Sequence, residues 1–149
     1  MEPVVDQLIR CIYASASDIA FSDAELAELL KIARIRNAGL GVTGMLLYVE
    51  GSFFQVIEGR AEIVDGLFAR IEMDNRHKKV TLIIREPIPA RDFADWTMGY
   101  ADVSRTELST IPGLNDFFLS GVSFNEMAPG RAKILLEAFR QGKWRRHLS

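Results

Sequence analysis

Two strand-like runs, Met45-Leu46-Leu47-Tyr48-Val49 and Ser52-Phe53-Phe54-Gln55-Val56-Ile57-Glu58-Gly59, flank the dipeptide Glu50-Gly51. Runs rich in aromatic and branched residues favour strands, and a two-residue tight turn makes neighbouring runs a hairpin. That hairpin constrains the fold, because the segments on either side must pair with it or pack on it. Its second arm carries an oddity. Side chains alternate along a strand, so Gln55 shares a face with Phe53 and Ile57. If that face is core, the amide needs partners for two donors and an oxygen. An unpartnered buried amide costs about 1–3 kcal/mol, so something polar must meet it.

The flanking segments supply the layers. Leu8-Ile9-Arg10-Cys11-Ile12-Tyr13-Ala14-Ser15 reads as a first strand, with Ile9, Cys11, Tyr13 and Ser15 on one face. Ser22-Asp23-Ala24-Glu25 is a capping box that opens a helix whose apolar row is Leu26, Leu29, Leu30 and Ala33. Asn37 continues this row. It is either a helix C-cap together with Gly39, the simpler reading, or an amide aimed at a bound heterocycle. Residues 60–74 read as a second helix with an apolar stripe of Ile63, Val64, Leu67, Phe68 and Ile71. Arg70 and Asp74 lie four apart on it, as a surface ion pair or as a pair closing over a ligand. Val80–Ile84 and Trp96–Tyr100 read as the fourth and fifth strands.

The order is therefore β-α-β-β-α-β-β, an α+β ferredoxin-like sheet with two helices on one face. A pocket between helices and sheet would be lined from both sides. Beyond Val103 the character changes, which divides the chain into 1–103 and a C-terminal helical extension, 104–149. In the extension Ser104–Glu107 is a second capping box, Leu114–Leu119 a short helix, and 131–141 a last helix with Ile134, Leu135, Ala138 and Phe139 apolar. That last helix must bury its face on the open side of the sheet or in a homo-oligomer. The end, Gly142 to His147, is basic and reads as a solvated helix terminus.

Composition narrows the function classes. A net charge of −2 brings no general attraction to nucleic acid or anionic lipid, and no apolar run has membrane-spanning length. The N-terminus lacks signal-peptide order, and the single cysteine, Cys11, excludes an internal disulfide. A cytoplasmic protein is the default expectation. The two histidines, His77 and His147, lie far from Cys11 in sequence, which gives metal chemistry little support. Cys11 itself reads as a small core hydrophobe.

Five stretches in one order carry a resemblance. They are Tyr13-Ala14-Ser15, Arg36-Asn37 with Gly41-Val42-Thr43-Gly44-Met45-Leu46-Leu47-Tyr48, Phe53 to Gly59, Asp74-Asn75-Arg76-His77, and Arg91-Asp92-Phe93-Ala94-Asp95-Trp96-Thr97-Met98. Together they resemble the BLUF family, the flavin-binding blue-light sensors, over residues 6–103. The resemblance implies an FAD ring between the two helices, over the sheet. FMN and riboflavin share that ring and stay open. It puts Gln55 between Tyr13 and the flavin, and turns Asn37 from a cap to a ligand for the pyrimidine-like edge. Ser15, Arg36, Arg70 and Asp74 match further positions near the flavin. It implies that Tyr13 donates an electron and a proton through Gln55, whose amide ends rotated or tautomerised. Trp96 and Met98 match positions that exchange places near the ring; which one faces it stays open.

The implied function is a photoreceptor with no catalytic activity of its own, since 104–149 is too short for an added enzyme domain of ordinary size. Its expected partners are a separate output protein and further copies of itself, with no membrane or nucleic acid. Two rivals share the fold. A small acyl-phosphate hydrolase would need a glycine-rich phosphate loop beside an arginine. A chromophore-free interaction module would have no use for Tyr13, Asn37 and Gln55 together.

Overall fold

The computed structural model describes residues 7–16, 21–49, 51–73, 78–94, 97–101, 111, 127–140 and 145–146. The elements run β1 (Leu8–Ala16), α1 (Asp23–Leu40), β2 (Thr43–Val49), β3 (Ser52–Arg60), α2 (Ala61–Glu72), β4 (Lys78–Pro87), β5 (Gly99–Ala101), α3 (Pro129–Arg140) and β6 (Arg145–Arg146). The sheet order is β4-β1-β3-β2-β5-β6. Its first four strands are antiparallel neighbours in the ferredoxin-like order, and β5 adds to β2 in parallel. The expected hairpin forms between β2 and β3, with Gly51 at φ 86° in its turn.

Alternation along the strands sorts the core into two layers. Ile9, Cys11, Tyr13, Leu46, Phe53 and Ile57 face α1 and α2, where Leu26, Leu30, Val64 and Leu67 meet them. Ile12, Ala14, Met45, Leu47, Phe54 and Val56 face the other way, onto Ala132, Leu135 and Leu136 of α3. The last helix thus covers the open face of the sheet, one of its two expected places. Its buried residues are Ala132, Leu135 and Leu136, with Ile134 at the edge, so Leu136 enters a stripe that the sequence drew through Ile134 and Ala138.

Three expected boundaries move for identifiable reasons. Helix α1 runs one turn past Asn37 and ends on Gly41, whose φ of 69° is left-handed. The Gly41 and Val42 amides both bond the Asn37 carbonyl, so Asn37 lies within the helix and the cap is Gly41. The fifth strand starts only at Gly99, because the Thr97 and Met98 carbonyls are taken by side chains of α1. The expected basic helix end instead pairs Arg145 and Arg146 with Ala101 and Tyr100, which covers the free edge of β5. Ser104–Glu107 and Leu114–Leu119 lie outside the described residues.

Two side chains pin the segment that enters β5. The Arg91 guanidinium bonds the Gly41 carbonyl (2.7 Å), the Thr43 hydroxyl (3.0 Å) and the Glu58 carbonyl (3.1 Å). The buried Glu58 carboxylate accepts the main-chain amides of Asp92 (3.0 Å) and Phe93 (2.9 Å). The 91–93 turn is thereby fastened across β2 and β3.

Gly44 marks a very close backbone approach. A Cβ there would stand 2.0 Å from the Val56 carbonyl oxygen, main chain that cannot swing aside. Gly44→Ala is therefore expected to destabilise the protein by about 2–3 kcal/mol. Thermal unfolding should show the apparent Tm falling by roughly 6–10 °C.

Candidate functional site

The polar groups inside the helix-facing layer gather at one place. Tyr13 on β1 and Gln55 on β3 are directly paired across the sheet, and Gln55 is paired again with Leu46 of β2. The Tyr13 hydroxyl donates to Gln55 Oε1, with both side chains buried. This is the polar group that Gln55 required. A register irregularity between β1 and β4 falls at the Ile12–Tyr13 step, where Ile83 is the extra residue. Such bulges re-aim side chains beside functional sites. Ser15, fully buried, continues the Tyr13 face two residues on.

Helix α1 forms one wall. Asn37 is fully buried, and its amide is fixed at both ends. Arg36 Nε donates to its Oδ1 (3.2 Å), and its Nδ2 donates to the Thr97 carbonyl (2.6 Å). One turn earlier, Arg34 Nε donates to the Met98 carbonyl at 2.9 Å. Met98 is buried in the same layer as Tyr13. Helix α2 forms the facing wall through Phe68, whose ring meets Tyr13 edge-on at 5.4 Å. Arg70 is exposed in the last turn of α2, and no hydrogen bond among the described residues joins it to Tyr13, Gln55 or Asn37. Asp74 and Trp96 lie outside the described residues.

Electrostatics fixes the protons. Burial pushes the Tyr13 hydroxyl far above its ordinary value, and the Arg36 charge offsets only part of this. The phenol is therefore a donor at any working pH, which leaves Gln55 Oε1 as acceptor. Burial raises the Cys11 thiol to about 11, helped by Asp65 and opposed by Arg85, so it stays protonated. Cys11 is a core group, as its sequence setting suggested.

The donor set fits a flat heterocycle with alternating donors and acceptors. Gln55 is only 5% exposed, and beyond the oxygen that meets Tyr13 its amide carries two Nε2 hydrogens. Asn37 retains one Nδ2 hydrogen beyond its bond to Thr97. A second ligand-side donor and acceptor between Tyr13, Gln55 and Asn37 is what the edge of an isoalloxazine offers. The residues present thus fit a flavin. Sequence reasoning missed Arg34, which has no motif of its own. Its one legible signal is its position three residues before Asn37 on the same helix.

Comparison with known proteins gives the same answer. Residues 8–99 match the model of the family described as BLUF, sensors of blue-light using FAD. The chain is 40% identical over 89 residues to the photoactivated adenylate cyclase subunit beta of Euglena gracilis, a stretch that is 60% of this chain and 10% of that protein. It therefore spans about a tenth of the length of this curated relative. Among solved structures, BlrB, a BLUF protein in its dark state, superposes with a TM-score of 0.73 at 35% identity, covering 93% of this chain and 98% of that one. Klebsiella pneumoniae BlrP1 with FMN and cyclic diGMP superposes with a TM-score of 0.63 at 30% identity, covering 90% of this chain and 34% of that one. With the motif order, the ferredoxin-like sheet and the buried Tyr13–Gln55 pair all in place, the chain belongs to the BLUF family of blue-light sensors that use a flavin.

Proposed function

We propose that the Tyr13–Gln55 pair is the light-operated switch of this protein and that its flavin is FAD. The observation that carries the reading is the buried hydrogen bond from the Tyr13 hydroxyl to Gln55 Oε1. When bound, the flavin absorbs the blue light and supplies, once excited, an oxidant. Tyr13 is the electron and proton donor, and its proton already points along the bond to Gln55. Gln55 relays it, because one amide carries a donor and an acceptor side by side. Turning the amide over, or leaving it as its imidic tautomer, reverses what its outer end offers the ligand. The electron and proton then return to Tyr13, so the outcome is a changed hydrogen bond with no net oxidation, a switch within a buried polar network.

Asn37, oriented by Arg36, binds the pyrimidine-like edge of the ring, and Ser15 lies along the same sheet face. Arg70, in the last turn of α2, and Asp74 by its match to the family motif belong to the same set of flavin-binding positions in this reading. Met98, buried beside Tyr13, faces the ring, and Trp96 lies close by in sequence. FAD is favoured by the family description, while BlrP1 was solved with FMN, so the shared ring is what the site selects.

Residues 1–103 are the sensor and 104–149 the extension that carries its state outward. The Euglena relative joins such a segment to an adenylate cyclase in a far longer chain. BlrB, matched over 98% of its length, offers the other pattern, a sensor of this size. We assign the second pattern here: no catalysis by the chain itself, and output through a separate protein and through contacts between copies. No helix among the described residues is long and apolar enough to cross a membrane. The cytoplasm, with its reducing conditions, suits the lone buried thiol.

Tyr13→Phe tests the donor role. The ring and its edge contact with Phe68 remain, so the protein is expected to fold and hold flavin. Blue light should no longer produce the reversible red shift. A normal shift and dark recovery in this variant would remove Tyr13 from the mechanism.

A further inference from the structure

Helix α1 has two different sides. Leu26, Leu29, Leu30, Ala33 and Asn37 are its buried row. The opposite row follows at helical spacing through Ala24, Glu28, Lys31, Ile35 and Ala38, all exposed. Ile35 stands 68% exposed at the middle of this row, and Ile32 beside it is 42% exposed. The outer side of a surface helix ordinarily carries long polar side chains. Isoleucine gives a helix no propensity advantage over lysine or glutamate, so helix formation does not account for the pair. Single exposed apolar residues are ordinary, but Ile32 and Ile35 are neighbours on one helix face, with the small Ala38 and Gly39 following them.

Charge on α1 is sorted along its length. Asp23, Glu25 and Glu28 lie in the first half, and Lys31, Arg34 and Arg36 in the second. A second α1 laid antiparallel on this face meets acid with base at both ends, whereas a parallel one meets like with like. The side chains match as well as the charges. In the antiparallel register that sets Glu28 against Lys31 of a second copy, two-fold symmetry makes the same pair twice. That register also brings Ile35 opposite the small Ala24, again twice. Acid meets base and large meets small in one arrangement, which is the self-complementarity that an isologous contact requires.

We propose that the outer face of α1, centred on Glu28, Lys31, Ile32 and Ile35, is the contact between two copies of this chain, with their α1 helices antiparallel. The proposal deepens the reading above that output passes through contacts between copies, and gives those contacts a place. A contact limited to one helix from each copy is small beside the roughly 1,200–2,000 Å² that a stable interface buries, so the dimer forms and dissociates with concentration.

Sedimentation equilibrium of the flavin-loaded full chain over a wide concentration series tests it, with far-UV circular dichroism and the flavin spectrum recorded on each sample. The parent should pass from monomer to dimer. Ile35→Ser, an exposed change that leaves the buried row intact, should stay monomeric while keeping its helix content and flavin. Glu28→Lys makes the centre of the face all basic, and Lys31→Glu makes it all acidic. Each alone should associate about tenfold more weakly than the parent or worse. An equimolar mixture of the two should associate at least as well as the parent, because every charge then meets its opposite. A parent that stays monomeric throughout would overturn the proposal and leave this face to a partner of another kind. A dimer that survives Ile35→Ser, or a mixture no tighter than its two components, would place the contact elsewhere and overturn it too. A parent that dimerises as described without taking up flavin would sustain the α1 contact and overturn the photoreceptor reading alone.

Discussion

Gln55→Leu should hold its flavin and lose its light response completely. Leucine is apolar, one bond shorter than glutamine, and has neither donor nor acceptor, so the bond from the Tyr13 hydroxyl has no successor. The variant also leaves a fully buried phenol unsatisfied, at a cost of about 1–3 kcal/mol. That is a modest loss for a core of this size, since the leucine is surrounded by Phe53, Leu46 and Ile57 and packs well there. Stability and light response should therefore separate: a small fall in Tm, and a red shift that is absent and not merely reduced. Absorption difference spectroscopy decides it. A red shift of parent size would remove Gln55 from the switch, whatever the stability did.

Glu58→Leu should be strongly destabilising. Its carboxylate is buried, pairs with Arg10, and accepts the amides of Asp92 and Phe93. Leucine fills the volume but strands a buried guanidinium and two main-chain donors together. Breaking a buried pair from one side costs about 3–5 kcal/mol. Asp92 and Glu86 still reach Arg10, which puts the loss toward the lower end of that range. Thermal unfolding should show the apparent Tm falling by roughly 10 °C or more. The 91–93 turn would lose both amide bonds to Glu58 and keep Arg91 and the Arg10–Asp92 pair, so dark recovery should change too. A variant within about 1 kcal/mol of the parent would show that the Arg10 cluster re-pairs without Glu58.

Much of this is legible in the sequence. The capping box opens α1 as expected, with Ser22 Oγ accepting from the Glu25 amide and Glu25 Oε1 accepting from the Ser22 amide. Such motifs are local, and local hydrogen bonds survive translation into structure. Period-two alternation put Tyr13, Ser15 and Gln55 on one face, and all three lie on it. What alternation does not carry is adjacency. Arg10 could be seen to share a face with Ile12 and Ala14, but that its neighbours are Glu58 and Glu86 depends on β1 lying between β3 and β4. The signal was the charge itself: an arginine and a glutamate on otherwise apolar faces of two strands had to find each other.

The errors of boundary have the same origin. Asn37 looked like a helix end because Asn and Gly serve that role, yet its amide is used by Thr97, sixty residues on. Trp96-Thr97-Met98 reads as strand, yet β5 starts only at Gly99, because two of these carbonyls bond side chains of α1. Tertiary hydrogen bonds of this kind are invisible to propensity. They also gather at the candidate site, where local rules are expected to give way to function.

The central claim is that light rearranges the Tyr13–Gln55 hydrogen bond beside a bound flavin without net oxidation. The most direct measurement is the absorption spectrum of the purified, FAD-loaded chain in darkness, under blue light, and in darkness again. The expected result is a flavin spectrum that moves slightly to the red on illumination, keeps its oxidised shape, and returns fully in the dark. A protein that stays colourless with added FAD, or one whose flavin bleaches or does not move, would contradict it.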